Sequence, residues 1–484
     1  MTPADVSLAS LLPAVVLVVS GMAILIADPF VGRENRGRLV WAGLAGVVGA
    51  GIAIVPMSGS YGVWYSGLWR VDDYTVFFHV TLLVIAGLTI LASIEYVRRE
   101  ELPPSEFVVL VLFATTGALL MAGAGELVLI FIGIEILSMG TYVLAGYRRT
   151  DLRSNESALK YFLLGSFASA FFLYGVALVF GATGSTHLAA IAESVGSGRA
   201  PMNLVYLASG LMLTGLAFKV ALAPFHVWTP DVYEGAPTPV TGFMSVGPKA
   251  AGFAVLIRIF LTAFPDLRDR WTWVVWAAAA ATMLVGNLVA LVQPNIKRML
   301  AYSSIAHAGY VAVAVASGTS PGASAALFYL LAYSVTNLGA FAIVAAVSRK
   351  GDGQVALEDY RGLARRRPGL AALLSLFLLS LAGIPATGGF AGKFFIFRAG
   401  VEAGLTGLVV IGVLTTVVSF YYYLYVIVEM YMREPSEAFD DVSVRPATAA
   451  VILASALLTL YLGILPARTF EWATESAANA FSIF

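Results

Sequence analysis

Long apolar runs separated by short polar segments recur along the whole chain. Most runs are about 20 residues long, which lets a helix rising 1.5 Å per residue cross a hydrocarbon layer about 30 Å thick. The pattern therefore predicts an all-α polytopic membrane protein of about fourteen transmembrane helices. The predicted helices lie at about 8–28, 39–57, 75–97, 106–123, 126–146, 158–181, 203–226, 238–264, 273–292, 299–317, 322–348, 369–395, 404–430 and 446–466.

Composition supports this class and excludes others. The 484 residues are 59% hydrophobic and 12% charged, whereas soluble domains carry about 25% charged residues. Lys and Arg total 29, and Asp and Glu also total 29, so no net charge points to nucleic acid as a partner. The chain has no cysteine, which excludes a cysteine-ligated iron–sulfur cluster within it. We therefore expect no cofactor in this chain, and any redox chemistry would belong to a partner.

The loop cations are distributed unequally between the two sides of the predicted helices. Connections after odd-numbered helices hold 18 Lys and Arg residues, whereas the other connections and the C-terminal tail hold 6. The positive-inside rule places the first set in the cytoplasm. Both termini are therefore predicted on the non-cytoplasmic side of a bacterial cell membrane.

A few charged residues fall within the predicted spans. Lys160 and Arg258 lie near helix ends, and snorkelling of their charged groups to the membrane surface would explain both. The deep charges are Lys219, Lys249, Lys393 and Glu135. A charge at such a depth costs about 2.5 to 3.5 kcal/mol on insertion scales, so residues of this kind usually have a function.

One interpretation of the deep charges is a static Glu135–Lys219 ion pair that only joins two helices. That pair leaves Lys249 and Lys393 without a carboxylate at their predicted depth. Removal from water disfavours the charged form of a lysine, so an unpaired buried lysine can release its proton and pass it on. The surplus lysines therefore favour a proton path.

Two histidines are further candidates for such a path. His226 and His307 lie in or beside predicted spans, although a single histidine in a helix is more often a packing residue. Both alternatives stay open at this point.

Helix-breaking residues lie next to each deep lysine. Pro224 follows Lys219, Pro248 precedes Lys249, and Pro385 with several glycines precedes Lys393. Interrupted backbone at membrane depth is tolerated where it lines a protein-buried or water-filled cavity. The pattern predicts broken helices at the three lysines.

The predicted helices divide into comparable units. The division is an N-terminal region 1–105, a five-helix unit 106–264, a second unit 265–431 and a C-terminal region 432–484. Because each unit holds an odd number of helices, the second begins on the opposite side of the membrane, and the two repeats are predicted to be inverted.

Several motifs surround the titratable residues. The longest, at 215–241, reads GLAFKVALAPFHVWTPDVYEGAPTPVT and is followed at 245–253 by SVGPKAAGF. Others read ALKYFLLG at 158–165, NIKRMLAYSSIAHAGY at 295–310 and GIPATGGFAGK at 383–393. In these segments the chain closely resembles the subunit N family of NADH-quinone oxidoreductase, the antiporter-like membrane subunits of respiratory complex I.

This resemblance implies proton translocation coupled to quinone reduction elsewhere in a complex. It implies that Glu135 paired with Lys219 acts as a switch, Lys249 as the central relay and Lys393 as the terminal relay. Lys160, His226 and His307 are weaker candidates. The implied partners are the other membrane subunits of complex I, the lipid bilayer and protons, with NADH, FMN, iron–sulfur clusters and quinone in partner subunits.

Two alternatives remain at the level of sequence. A subunit of a multisubunit cation/proton antiporter or of a membrane-bound hydrogenase would share the fold and the lysines. A purely structural membrane scaffold is opposed by the unpaired deep lysines.

Overall fold

The computed structural model describes residues 6–435 and 444–481. Residues 1–5, 436–443 and 482–484, which belong to the predicted N- and C-terminal regions, lie outside the described residues. The helices are α1 Leu8–Ala27, α2 Leu39–Ile52, α3 Ile54–Ser58, α4 Asp73–Arg99, α5 Pro104–Gly123, α6 Leu127–Ala145, α7 Leu152–Thr183, α8 Leu188–Gly196, α9 Met202–Val220, α10 Thr229–Gly235, α11 Thr238–Thr262, α12 Arg268–Ala290, α13 Ile296–Ala316, α14 Ser320–Val347, α15 Leu363–Arg366, α16 Pro368–Ala382, α17 Gly388–Glu402, α18 Thr406–Met432, α19 Pro446–Ile464 and α20 Pro466–Phe481. Short 3₁₀ segments lie at Asp28–Phe30, Arg33–Arg38, Pro265–Leu267 and Leu357–Tyr360.

Within the described part of the chain, 13 helical segments are long and apolar enough to cross a membrane. The prediction of a helical, multi-pass membrane protein is confirmed. Helix α16 is apolar but shorter than these, because the predicted span 369–395 divides into α16 and α17.

The predicted helix breaks have different outcomes at the three lysines. The predicted span 203–226 is helical only as far as Val220, and α16 and α17 are separated by 383–387. In contrast, α11 continues through Pro248, so the prediction of a broken helix beside Lys249 is wrong.

The connection after α3 forms the one regular sheet among the described residues. Strands β1 (Gly62–Trp64) and β2 (Trp69–Val71) pair antiparallel, with Val63 opposite Arg70. The turn between the strands passes through Tyr65, Ser66 and Gly67, all with positive φ. The all-α prediction therefore misses a short hairpin in a polar connection, where the helical period is absent.

Helices α11, α13 and α14 form the centre of the molecule and are almost completely buried. Helix α14 packs against α11, α13, α16, α17, α19 and α20. In outer helices such as α1 and α7, 33% of the residues in the most apolar stretch are buried. The central helices hold the polar residues described below.

The segment after the last predicted helix is expected to be a tail, but α20 folds back onto α4 and α14. Its buried face is built of Ala473, Ser476, Ala477 and Ala480. The ring of Phe470 stacks on Phe395 with 3.7 Å between the ring centroids. These small residues allow close packing although the helix is too polar to be recognised as a span.

Candidate functional site

Lys219 lies at the end of the first half of a broken helix. Helix α9 ends at Val220, and Ala221 takes a left-handed conformation with φ of 61°. The Lys219 side chain is 4% exposed, and its Nζ donates to Ser138 Oγ at 2.6 Å. The ammonium also lies 5.9 Å from the centroid of the Tyr161 ring. The predicted break beside Lys219 is confirmed.

Glu135 lies on α6, one turn before Ser138. It is half-buried, and its Oε1 atom is buried without a hydrogen-bond partner. Among the described residues, Glu135 and Lys219 do not form an ion pair within 4.0 Å. The Glu135–Lys219 ion pair implied by the resemblance is therefore not formed in this structure, in which the Lys219 ammonium donates to Ser138.

Lys249 lies in the continuous helix α11 and is 2% exposed. Its Nζ donates to the carbonyl oxygen of Ser304 at 2.7 Å and also to the Ser304 hydroxyl. Pro248 has no amide hydrogen to donate to the carbonyl of Met244. The Tyr233 hydroxyl supplies that donor at 3.0 Å, which explains why the helix continues through the proline.

Lys393 lies in α17, shortly after the second break. Its Nζ donates to the carbonyl oxygens of Leu381 at 2.9 Å and Ala382 at 3.0 Å. These are the last carbonyls of α16, where a helix leaves acceptors unsatisfied and carries a partial negative charge. The ammonium also lies 4.7 Å from the centroid of the Tyr310 ring.

One face of α13 connects the surroundings of Lys249 with those of Lys393. Ser304, His307 and Tyr310 follow one another at three-residue spacing, which places them on the same side of a helix. Ser304 binds Lys249, the rings of His307 and Tyr310 lie 5.6 Å apart, and Tyr310 lies beside Lys393. The structure thus brings His307 between two of the predicted lysines.

Ser304, His307 and Tyr310 form a buried polar track along α13. Hydroxyl groups of further tyrosines extend it. His307 Nδ1 is hydrogen-bonded to Tyr329 at 2.5 Å and Nε2 to Tyr423 at 3.2 Å. Tyr423 is also bonded to Ser303, and the ring of Tyr333 stacks on His307. Sequence reasoning missed these tyrosines and serines, although the repeated three-residue spacing on α13 was a signal that could have found part of them.

The other sequence candidates lie apart from this track. The side chain of Lys160 is 40% exposed and bonds to Glu156 and Asp231, each at 2.7 Å. His226 is half-buried in the connection between α9 and α10, and its Nδ1 is buried without a hydrogen-bond partner.

Arg258 does not snorkel. It is 2% exposed and binds both carboxylate oxygens of Asp72, at 2.8 and 3.0 Å. Asp72 precedes the first residue of α4. Burial alone would raise the pKa of Asp72, but Arg258 and Arg70 lower it to about 2.

The three deep lysines share one property: each ammonium group is hydrogen-bonded to neutral oxygens. No group of three or more His, Cys, Asp or Glu side chains that could hold a metal occurs in the described ranges. Titratable groups linked by hydroxyls within a helical membrane protein are typical of subunits that transfer protons. The fold and the site thus define a membrane protein of the antiporter-like class.

Comparisons with known proteins place the chain within this class. A family model described as "NADH:quinone oxidoreductase/Mrp antiporter, TM" matches residues 124–419. NADH-quinone oxidoreductase subunit N of Trichlorobacter lovleyi is 47% identical over 472 residues, which cover 97% of each chain. The chain belongs to the NADH-quinone oxidoreductase subunit N family, the antiporter-like membrane subunits of respiratory complex I.

Solved structures agree with this assignment. A chain of respiratory complex I from Thermus thermophilus superposes with a TM-score of 0.82 at 39% identity, covering 96% of this chain and 99% of that one. A chain of the Mrp complex from Dietzia sp. gives a TM-score of 0.84 over 98% of each chain, but at 24% identity. The second likeness shows a shared fold only, so the comparisons favour complex I over the antiporter alternative.

Proposed function

We propose that this chain carries protons across the membrane through Glu135, Lys219, Lys249 and Lys393, driven by quinone reduction in other subunits of the complex. The observation that carries this proposal is the environment of the three lysines. Each is at most 4% exposed, and each donates to neutral oxygens. Because no carboxylate of the described residues lies within 4.0 Å of these ammonium groups, each lysine can give up its proton and take up another.

The packing supports an order along this path. Gly252 lies three residues after Lys249 on α11, and a β-carbon there would lie 3.3 Å from Cγ of Lys219. The glycine thus lets α11 approach the stem of Lys219 closely. From Lys249 the track on α13 leads through Ser304 and His307 toward Lys393. Glu135 would act as the switch by changing its distance to Lys219, and Lys160 and His226 remain peripheral candidates.

We also propose the number of spans, the two inverted units and the orientation of the chain. Counting α16 and α17 as one broken span gives fourteen spans, and 106–264 and 265–431 would form two inverted units. Each unit holds one broken helix with a lysine beside the break, Lys219 in α9 and Lys393 in α17. Both termini would face the non-cytoplasmic side of a bacterial cell membrane.

In the proposed function, this chain binds no cofactor. NADH, FMN, the iron–sulfur clusters and quinone would be bound by partner subunits, and the chain would contribute only proton transfer. Its direct partners would be the other membrane subunits, the lipid bilayer and protons.

The test is substitution of Lys249 in the assembled complex, reconstituted into liposomes. Lys249→Met keeps an unbranched side chain but removes the titratable group. We expect NADH-driven proton uptake to fall about tenfold or more, because a positioned proton-transfer group contributes at least that much. Lys350→Met is the control, since Lys350 is exposed and pairs with Glu101 at the surface. Normal proton uptake in Lys249→Met would reject the relay.

A further inference from the structure

The loop after α14 contains a buried carboxylate, that of Asp352. Arg349 and Gly353 pair as an isolated antiparallel bridge. Between them, Gly351 and Asp352 have positive φ of 77° and 53°, a conformation that glycine adopts freely and aspartate tolerates better than most residues. Asp352 is 8% exposed although its neighbour Gly351 is at the surface. The turn therefore buries a charged side chain.

Asp352 receives hydrogen bonds and ion pairs from three separate elements. The hydroxyl of Thr238, the first residue of α11, donates to it at 2.8 Å. Nζ of Lys297, at the start of α13, donates at 3.0 Å. Nη1 of Arg148, just after α6, lies 3.5 Å away. Lys297 also donates to the carbonyl of Ala236, between α10 and α11, at 2.6 Å.

Lys297 lies before the predicted span 299–317 and is therefore expected in a loop, but the structure buries it completely. Within the described ranges its one carboxylate partner within 4.0 Å is Asp352, whereas Arg148 has a second partner in Asp151 at 2.7 Å. Burial alone would raise the pKa of Asp352, but Lys297 and Arg148 lower it below its ordinary value. The group is thus a carboxylate at neutral pH.

The helices that meet at Asp352 are the ones that carry the proposed relay. Helix α6 holds Glu135 and Ser138, α11 holds Lys249, and α13 holds Ser304. Lys249 lies eleven residues after Thr238, and Ser304 lies seven residues after Lys297. At 1.5 Å per residue these separations are about 17 Å and 10 Å. A displacement at the helix ends therefore passes along packed helices to the Lys249–Ser304 contact.

The geometry points to Asp352 as a positioning residue whose carboxylate fixes the ends of α6, α11 and α13 so that Lys249 and Ser304 meet. This role rests on the proposed proton relay. It differs from charge neutralisation alone, because it requires a group that binds Thr238, Lys297 and Arg148 at the same time.

The test compares substitutions at Asp352 in the assembled complex. Asp352→Asn keeps the side-chain shape but removes the charge that holds the two cations. We expect NADH-to-quinone turnover and proton uptake to fall about tenfold or more, because displacing a reacting group by about 1 Å can cost about a hundredfold. Asp352→Glu retains the carboxylate, and we expect recovery to within about twofold of the native rate. Native rates in Asp352→Asn, or no recovery in Asp352→Glu, would overturn the proposal.

A double variant separates positioning from neutralisation. Asp352→Asn combined with Lys297→Met removes the Asp352–Lys297 ion pair, leaves Arg148 with its second partner Asp151, and also removes the connection between the loop and α13. A positioning role predicts that turnover stays low. Native turnover in the double variant would show that the carboxylate serves only to neutralise Lys297, and would overturn the proposal.

Two further variants complete the design. If Asp352→Asn does not assemble, Thr238→Val removes one hydrogen bond without leaving a charge, and we expect about a threefold lower turnover. Native turnover in Thr238→Val would then overturn the proposal. Glu101→Gln is the matched control. It removes an exposed carboxylate that pairs with Lys350, and Lys350 lies on the same loop as Asp352.

Lys249→Met in the same preparation separates this proposal from the relay itself. Low proton uptake in Lys249→Met with native uptake in Asp352→Asn would reject only the positioning role. Native uptake in Lys249→Met would reject the relay.

Discussion

At the scale of single residues, the three deep lysines are accommodated in three different ways. Lys219 uses a serine hydroxyl, Lys249 a carbonyl and a hydroxyl, and Lys393 the free carbonyls at a helix end. A buried charge costs about 2.5 to 3.5 kcal/mol on insertion scales, and hydrogen bonds to neutral oxygens offset only part of that cost. In the proposed relay, this remaining cost is what lets each lysine release its proton.

Substitution of Glu135 tests the proposed switch. Glu135→Gln preserves volume, and because Glu135 Oε1 makes no hydrogen bond we expect the complex to assemble. Without the negative charge the proton affinity of Lys219 can no longer be modulated, so proton uptake should fall about tenfold. Glu193→Gln, which removes an exposed carboxylate paired with Arg199, is the control. Native proton uptake in assembled Glu135→Gln would make Glu135 dispensable.

Asp72 makes a testable contribution to stability. Because its pKa is lowered to about 2 in the folded chain, from about 3.9 when unfolded, its stabilising effect is complete above about pH 4 and is lost as pH falls toward 2. At neutral pH, Asp72→Asn leaves Arg258 buried without a counter-ion and should destabilise the chain by about 3 kcal/mol.

Thermal unfolding in detergent at neutral pH measures this effect. Asp73→Asn is the matched control, because Asp73 is only half-buried and bonds to Tyr61 and Asn479. Equal melting temperatures for the native chain and Asp72→Asn would contradict the stabilising role of the pair.

The sequence predicts which residues are buried and charged far better than it predicts their partners. Lys219, Lys249 and Lys393 are recognisable because apolar residues surround each of them in sequence, and all three are buried. Their partners come from other helices: Ser138 is 81 positions from Lys219, and Ser304 is 55 positions from Lys249. Hydropathy carries no information about which helices become neighbours.

At the scale of elements, a proline indicates where a helix loses a backbone hydrogen bond, but not whether the helix then ends or continues. Near Pro224 and Pro385 the helices end and restart. At Pro248 the helix continues because Tyr233, fifteen positions earlier in the sequence, supplies the missing donor. Such a tertiary hydrogen bond cannot be predicted from the local sequence.

Close packing at the second break should be sensitive to a single methyl group. A β-carbon at Gly389 would overlap the backbone carbonyl oxygen of Ser380, so Gly389→Ala should push α17 away from α16. Lys393 would then lose the carbonyls of α16, and we expect proton uptake to fall about tenfold. Gly407→Ala in α18 is the control, since its β-carbon would meet nothing within 4 Å. Unchanged uptake in Gly389→Ala would show that this packing is not critical.

At the scale of the whole molecule, hydropathy alone predicts a helical, multi-pass membrane protein because the bilayer fixes the length of each span. It does not predict α20, whose buried face consists of alanines and a serine. Nor does it predict the β1–β2 hairpin, which lies in a connection. Both elements depend on packing against the folded helices.

The proposed orientation rests on the unequal distribution of loop cations and can be tested by labelling. The chain has no cysteine, so single cysteines at two exposed positions, Lys350 and Ser197, report the sides directly. We expect Lys350→Cys to react with an impermeant maleimide only from the cytoplasm and Ser197→Cys only from the opposite side. Reaction of both from the same face would contradict the predicted topology.

The most direct test of the proton relay concerns Lys393. Lys393→Ala removes the titratable group, whereas Lys393→Arg keeps a positive charge beside the carbonyls of Leu381 and Ala382. Arginine does not readily release its proton. We therefore expect both variants to lower NADH-driven proton uptake in liposomes about tenfold, with Lys350→Ala as the control. Full uptake in Lys393→Arg would contradict the account, because it would show that the position needs only a fixed positive charge.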